Sequence, residues 1–143
     1  VSQNFNSFVG KHSKYYEDSV DQQRFLDFAS VTHSPSSMRL ESLDSSQVPT
    51  IFTIFRLGEF ELMEQMGLQL KQILHAEQGY DYLELLKPGM KIRYRTELVS
   101  VHKKEGKEGA LYFMTFATPI ERSLDQVVLA VARSTMVYRE KSQ

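Results

Sequence analysis

Residues 28–37, FASVTHSPSS, have the outline of a short acid/base loop: a polar run holding one proline, placed after an apolar helical segment. Acid/base chemistry needs groups that exchange a proton near neutral pH, and a carboxylate with an imidazole suits that task. The loop offers no carboxylate, and on either side of Pro35 it holds hydroxyls such as those of Thr32 and Ser37. Both hydroxyls stay protonated near neutral pH, so neither serves as a general base without a helper. His33 is adjacent, but no acidic residue lies within the loop, and its plain role is a histidine in solvent or bonded to backbone. His75 and Glu77 form a second candidate. Two positions apart on a strand they share a face, and so can form a His–Glu dyad. The plainer role for His75 is an imidazole that fixes strand and helix ends by hydrogen bonding. Asp81 and Glu84 read as surface carboxylates rather than an acid/base pair.

The whole composition narrows the chemistry further. With 143 residues, 41% hydrophobic and 24% charged, the chain is one soluble domain able to bury a core. A formal net charge of −1, and a KKEGKE run at 103–108 whose charges nearly cancel, argue against nucleic-acid or anionic-membrane binding. There is no cysteine, hence no thiol chemistry or disulfide, and a cytoplasmic location is expected. No apolar run reaches membrane-spanning length, and VSQNFNSFVGKH lacks the apolar core of a signal peptide. His12, His33, His75 and His102 show neither His-x-x-x-His nor His-x-His spacing, so no metal site is expected.

The elements that must position these residues are clearest toward the C-terminus. From Met90 to Leu98 the residues alternate, with Met90, Ile92, Tyr94, Thr96 and Leu98 on one face and Lys91, Arg93, Arg95 and Glu97 on the other. The alternation slips at Leu98-Val99, where a bulge is expected. KKEGKEG reads as a hairpin connection with glycines at positive φ. ALYFMTFAT (110–118) is apolar on both faces, a strand covered on two sides or lying at a subunit contact, and Pro119 is expected to end it. A third long strand spans 126–140, so the three form an antiparallel meander. Upstream, VPTIFTIFRLGEFELMEQMG (48–67) predicts a long helix, with Thr50 as N-cap, Gly67 as its stop, and Glu59, Glu61 and Glu64 on its wet edge. A shorter helix is expected at 21–31, an extended entry strand at 14–20, a mobile loop at 39–49, and a further strand at 74–86 before a Lys87-Pro88-Gly89 turn. The sum is α+β: a long central helix wrapped by an antiparallel sheet of about five strands, which is the hot dog architecture. Its open edge and apolar strand faces imply a dimer.

Several segments, in order and spacing, resemble the N-terminal, MaoC-like dehydratase half of hydroxyacyl-thioester dehydratases and enoyl-thioester hydratases. They are "VG" at 9–10, "FLDFA" at 25–29, "VPTIF" at 48–52, "ILHAEQGYDY" at 73–82, "LLKPGMKI" at 85–92 and "VARSTMVYR" at 131–139. The resemblance makes residues 1–143 one MaoC-like, FAS1-like dehydratase hot dog domain. Catalytic members carry Gly-Asp-x-Asn-Pro-apolar-His, whose carboxylate and imidazole share the water that adds to, or leaves, an enoyl thioester. With Pro35 in register, the Gly falls on Val31, the Asp on Thr32, the Asn on Ser34 and the His on Ser37. Only the proline matches.

The resemblance therefore implies an acyl-thioester-binding protein without the Asp/His pair, a substrate-binding or partner subunit. It places the substrate-facing surface at Pro49, Thr50, Phe52, Phe55, His75 and Gln78. No cofactor is implied beyond coenzyme A or an acyl-carrier protein as the carrier of the acyl group. The implied partner is a second hot dog chain, in a homodimer or in a heterodimer with a catalytic subunit. The alternative is an active (R)-specific hydratase or 3-hydroxyacyl dehydratase using His33, His75 or Glu77, or a thioesterase using Glu59 or Glu64 on the central helix. The Lys91/Arg93/Arg95 face reads as solvated, with carrier phosphates as its other possible ligand.

Overall fold

The computed structural model describes residues 4–19, 56–84 and 89–140. The expected helix at 21–31, the loop at 39–49, and Thr32, His33, Ser37, Pro49, Thr50, Phe52 and Phe55 lie outside these residues. A six-stranded antiparallel sheet dominates what is described. Its strands are β1 (Tyr16–Ser19), β2 (Ile73–Tyr82), β3 (Lys91–Tyr94), β4 (Glu97–Gly106), β5 (Gly109–Arg122) and β6 (Val128–Arg139). Their order is β1-β3-β5-β6-β2, with β4 also pairing β5. Short 3₁₀ turns at Phe5–Phe8 and Leu70–Gln72 precede β1 and β2. This α+β arrangement is a single hot dog domain with six strands, one more than the sequence periodicity separates. The extra count arises because the Met90–Leu98 alternation is split into β3 and β4.

The meander of β4, β5 and β6 follows the predicted pattern. The expected bulge lies between Leu98 and Ser100 of β4, opposite Phe116 and Thr115. Lys107 and Glu108 link β4 to β5, and Gly109 supplies the positive φ there; Gly106 does not. Strand β5 does not stop at Pro119. Thr118 and Pro119 face the gap between β3, which pairs from Ile120 onward, and β4, which pairs up to Ala117. A residue without an N–H is tolerated where a ladder is interrupted. Nor is β5 buried on both faces: Ala110, Tyr112, Met114, Phe116, Thr118 and Ile120 are buried, whereas the alternate residues are half-buried.

Helix α1 (Leu57–Gln65) crosses the inner face of the sheet. It ends in a Schellman motif: the Gly67 N–H donates to the Glu64 carbonyl and the Leu68 N–H to that of Met63, at 3.0 and 3.1 Å. Gly67 sits at φ +75°, a conformation that glycine adopts without steric cost. The helix is not apolar all round. Leu57 and Phe60 are 52% and 46% exposed, whereas Glu59, expected on the wet edge, is buried.

Two apolar clusters fill the space under the helix and along the sheet. One contains Ile92, Tyr94, Ile120, Leu129, Ala130 and Ala132. The other centres on Leu62, Met63, Leu98, Met114, Phe116 and Met136. Each fully buried side chain of this size contributes about 1.5–3 kcal/mol. The inner-face residues at the boundary between the clusters are polar: Thr96 after β3, Thr118 on β5, Ser134 on β6 and Gln78 on β2. They form a polar seam across the sheet, and the first turn of α1 lies over it.

Candidate functional site

The seam has two halves, each met by one residue of the helix. Over the first half sits Gly58. A Cβ built there would lie 2.3 Å from Thr96 Oγ1 and 2.9 Å from Ser13 Oγ, so only a glycine permits this approach. Beneath it the Thr96 and Thr118 hydroxyls are 2.7 Å apart, and Ser13 Oγ accepts the Thr96 N–H at 2.9 Å. The node is built of hydroxyls and backbone groups that bond one another.

Over the second half sits Glu59, only 1% exposed, as is Ser134. Arg56 Nη1 donates to Glu59 Oε1 at 3.1 Å, and the Ser134 hydroxyl approaches Glu59 Oε2 at 2.5 Å. Ser134 Oγ also lies 2.8 Å from Gln78 Oε1, so its single proton serves the carboxylate or the amide oxygen at any moment. Gln78 Oε1 is in turn 3.0 Å from His75 Nε2. A chain of contacts thus runs Arg56–Glu59–Ser134–Gln78–His75. A buried carboxylate needs such partners, because an unpaired charge there is strongly destabilising.

Strand β2 brings His75 and Gln78 together through a bulge. His75 pairs with Met136 and Glu77 with Thr135, leaving Ala76 unmatched between them. The inserted residue reverses the alternation. His75 and Gln78, three apart in sequence, therefore share the inner face, opposite Met136 and Ser134, while Glu77 turns to the outer face. This corrects the expected His75–Glu77 dyad: the partner of His75 is Gln78. Asp81 lies on the outer face with Arg133, 3.6 Å from its Nε.

A cavity of about 480 Å³ opens beside this chain, lined by Arg56, Phe60, Met63, Leu70, Ile73, His75 and Met136. Among the described residues its walls are apolar except for one guanidinium and one imidazole. No carboxylate lines it among the described residues: Glu59 lies behind Arg56, and Glu64 is exposed elsewhere on the helix. Below the seam, burial is the main cause that holds the Tyr80 phenol above its ordinary range, with Arg56 opposing. Tyr80 stacks on Tyr82 with ring centroids 6.1 Å apart.

The basic face of β3 is laced with acids and an aromatic ring. Arg93 Nε bonds Glu121 Oε1 at 2.7 Å, and Arg93 pairs across the ladder with Glu17. The guanidiniums of Arg93 and Arg95 lie 4.2 and 4.7 Å from the Tyr15 ring centroid. That pattern suits a solvated, internally neutralised face. Among the described residues, no group of three or more His, Asp or Glu could hold a metal ion, and no helix is long and apolar enough to cross a membrane.

Of the expected site residues, His75 and Gln78 are brought together. The structure adds Arg56 and Ser134, which the sequence does not single out, and places Glu59, a thioesterase candidate expected on the wet edge, buried between them. Ser134 had a usable signal: it falls on the buried period of two set by Ala130, Ala132, Met136 and Tyr138. A lone hydroxyl at such a position needs a partner.

The described elements, a helix laid on a curled antiparallel sheet beside an apolar cavity, define a hot dog protein. The family model for the FAS1-like dehydratase domain region matches residues 7–131, and the chain belongs to that family. Its fold is similar to several solved structures, all at low identity. The ChsH1–ChsH2 complex from Mycobacterium tuberculosis matches with a TM-score of 0.63 at 14% identity, over 93% of this chain and 86% of that chain. The HadBC 3R-hydroxyacyl-ACP dehydratase complex from the same organism gives 0.66 at 15%, over 91% and 96%. A MaoC-like dehydratase gives 0.72 at 16%, over 95% of this chain and 43% of that one, so the present chain spans under half its length. No curated protein matches the sequence.

Proposed function

We propose that this chain is an acyl-thioester-binding member of its family that lacks the acid/base pair and supports a catalytic hot dog partner. The cavity carries the reading. A mostly apolar pocket with few polar groups is what an acyl chain ending in a polar thioester needs. Phe60, Met63, Leu70, Ile73 and Met136 offer that surface, with His75 and Arg56 at the polar end. Hydration of an enoyl thioester needs a base for the water and an acid for the carbon, and the described wall holds one imidazole without a carboxylate. Thr32 and Ser37 stand at the family's acid/base positions in the sequence. ChsH1–ChsH2 and HadBC are complexes of two different chains, which supports a partner for this one. The carrier is coenzyme A or an acyl-carrier protein, and the setting is the cytoplasm.

Among the described residues, an active hydratase or dehydratase would work through His75 without Glu77, which the bulge turns away; His33, the other candidate, lies outside them. A thioesterase using Glu59 would need that carboxylate freed from Arg56 and Ser134. The deciding experiment is hydration of short and medium trans-2-enoyl thioesters by the purified chain, beside an active family member. The expected result is no turnover with any chain length, together with binding of the acyl thioester. Clear turnover would overturn the non-catalytic reading, and its loss in His33→Ala, His75→Ala or Glu77→Ala with folding intact would name the base.

A further inference from the structure

The amide of Gln78 has neighbours that fix its orientation. On one side are two backbone carbonyls, Arg133 O at 3.1 Å and Gly79 O at 3.5 Å. Carbonyls only accept, so that end of the amide is the NH₂ group. On the other side lie Ser134 Oγ at 2.8 Å and His75 Nε2 at 3.0 Å, and that end is Oε1. An oxygen that only accepts demands a donor from the ring, so Nε2 of His75 carries hydrogen. In the neutral imidazole the other nitrogen, Nδ1, then holds a lone pair, and it is the ring's one polar atom left to meet a ligand in the cavity.

We propose that Gln78 is a positioning residue: held by the Arg133 carbonyl, it fixes His75 as a donor into the wall, so that Nδ1 is a hydrogen-bond acceptor for the cavity's ligand. The inference rests on the acyl-thioester reading above and adds a requirement to it. A plain acyl chain and its thioester have no N–H or O–H, so they cannot use this acceptor. A ligand that does use it carries a donor near the thioester, either a hydroxyl on the acyl chain or an amide N–H on the carrier's arm. Ser134 and Glu59 support the arrangement from behind, because Ser134 contacts the same amide oxygen that receives His75. The bulge at Ala76 is what makes the pairing possible, by putting residues 75 and 78 on one face.

The test is ¹⁵N-histidine NMR of the whole chain at pH 8, with His75→Phe identifying the His75 signals among the four histidines. The wild type is expected to show Nε2 protonated and Nδ1 unprotonated; Gln78→Leu is expected to give mixed tautomers. Binding is then measured for a 3-hydroxyacyl-CoA, the saturated acyl-CoA of equal length, and a simple alkyl thioester without amides. A preference of about three- to tenfold for the hydroxyacyl ligand, lost in Gln78→Leu, identifies the acyl hydroxyl as the donor. A similar preference for acyl-CoA over the simple thioester, also lost in Gln78→Leu, identifies the carrier amide. Protonated Nδ1 in the wild type, or a tautomer or ligand preference unchanged in Gln78→Leu, overturns the proposal. Failure of every thioester to bind, with the expected tautomer present, overturns the acyl-thioester reading instead.

Discussion

The two halves of the polar seam lie under the same helical turn yet are built differently. Under Gly58 the Thr96, Thr118 and Ser13 groups bond one another and backbone, and none of them lines the cavity beside α1. Under Glu59 an ion pair and a serine lead outward through Gln78 to an imidazole on a cavity wall. A closed neutral node needs only geometry, and it fixes where the helix sits. An open node holding a buried charge is harder to stabilise, and its outer member is left available to a ligand. The contrast separates residues that hold the fold from residues that face chemistry.

The largest effect is expected from Glu59→Leu. Removing the acid leaves Arg56, 19% exposed, without its carboxylate, and about 3 kcal/mol of stability should be lost in urea unfolding. Adding Arg56→Met should restore part of it, since the arginine would no longer be held against an apolar side chain. Gly58→Ala comes next. The helix gains about 1 kcal/mol from alanine's propensity, but the added Cβ collides with a β-branched side chain that has no free rotation to yield. Overpacking should win, for a net loss of about 1–2 kcal/mol; Gly58→Ala combined with Thr96→Ala should recover part of it.

A sharper comparison sets Thr118→Val against Ser134→Ala. Each removes one buried hydroxyl and should cost about 1 kcal/mol. Only Ser134→Ala should alter ligand affinity, because only that node reaches the cavity; equal binding effects would erase the distinction. Smallest is Glu77→Ala, on the outer face, with a change within about 0.5 kcal/mol and unaltered binding.

A pH effect arises outside the seam. Burial first, and then a 2.7 Å hydrogen bond donated to Glu61, push the Tyr16 phenol up to about 12. A raised folded-state value means that this contribution is complete below the unfolded value of about 10 and is lost as pH rises toward 12. Unfolding free energy should fall across that window, and Tyr16→Phe should flatten the decline.

Much of the sheet was legible because alternation is a local signal. Ile92, Tyr94, Thr96 and Leu98 were placed on one face by period two alone, and all four are buried there. Gly67 was legible as a helix stop because a positive φ selects glycine. The site was harder. The bulge at Ala76 comes from pairing with β6, and nothing in ILHAEQGYDY marks which residue is extra. Glu59 looks like one of three surface glutamates until Arg56 and Ser134 are seen beside it. Such partners lie one helical turn or 75 positions away, and only the folded sheet brings the distant ones near.

The most direct test of the central claim is calorimetric titration of the chain with a medium-chain acyl thioether of coenzyme A, wild type against Phe60→Asp. Phe60 is nearly half exposed on α1 and lines the cavity, so the substitution should leave folding intact while placing a charge against the acyl chain. The account predicts measurable wild-type binding that falls at least about tenfold in the variant, a difference of about 1.4 kcal/mol. No wild-type binding, or equal binding by both proteins, would contradict it.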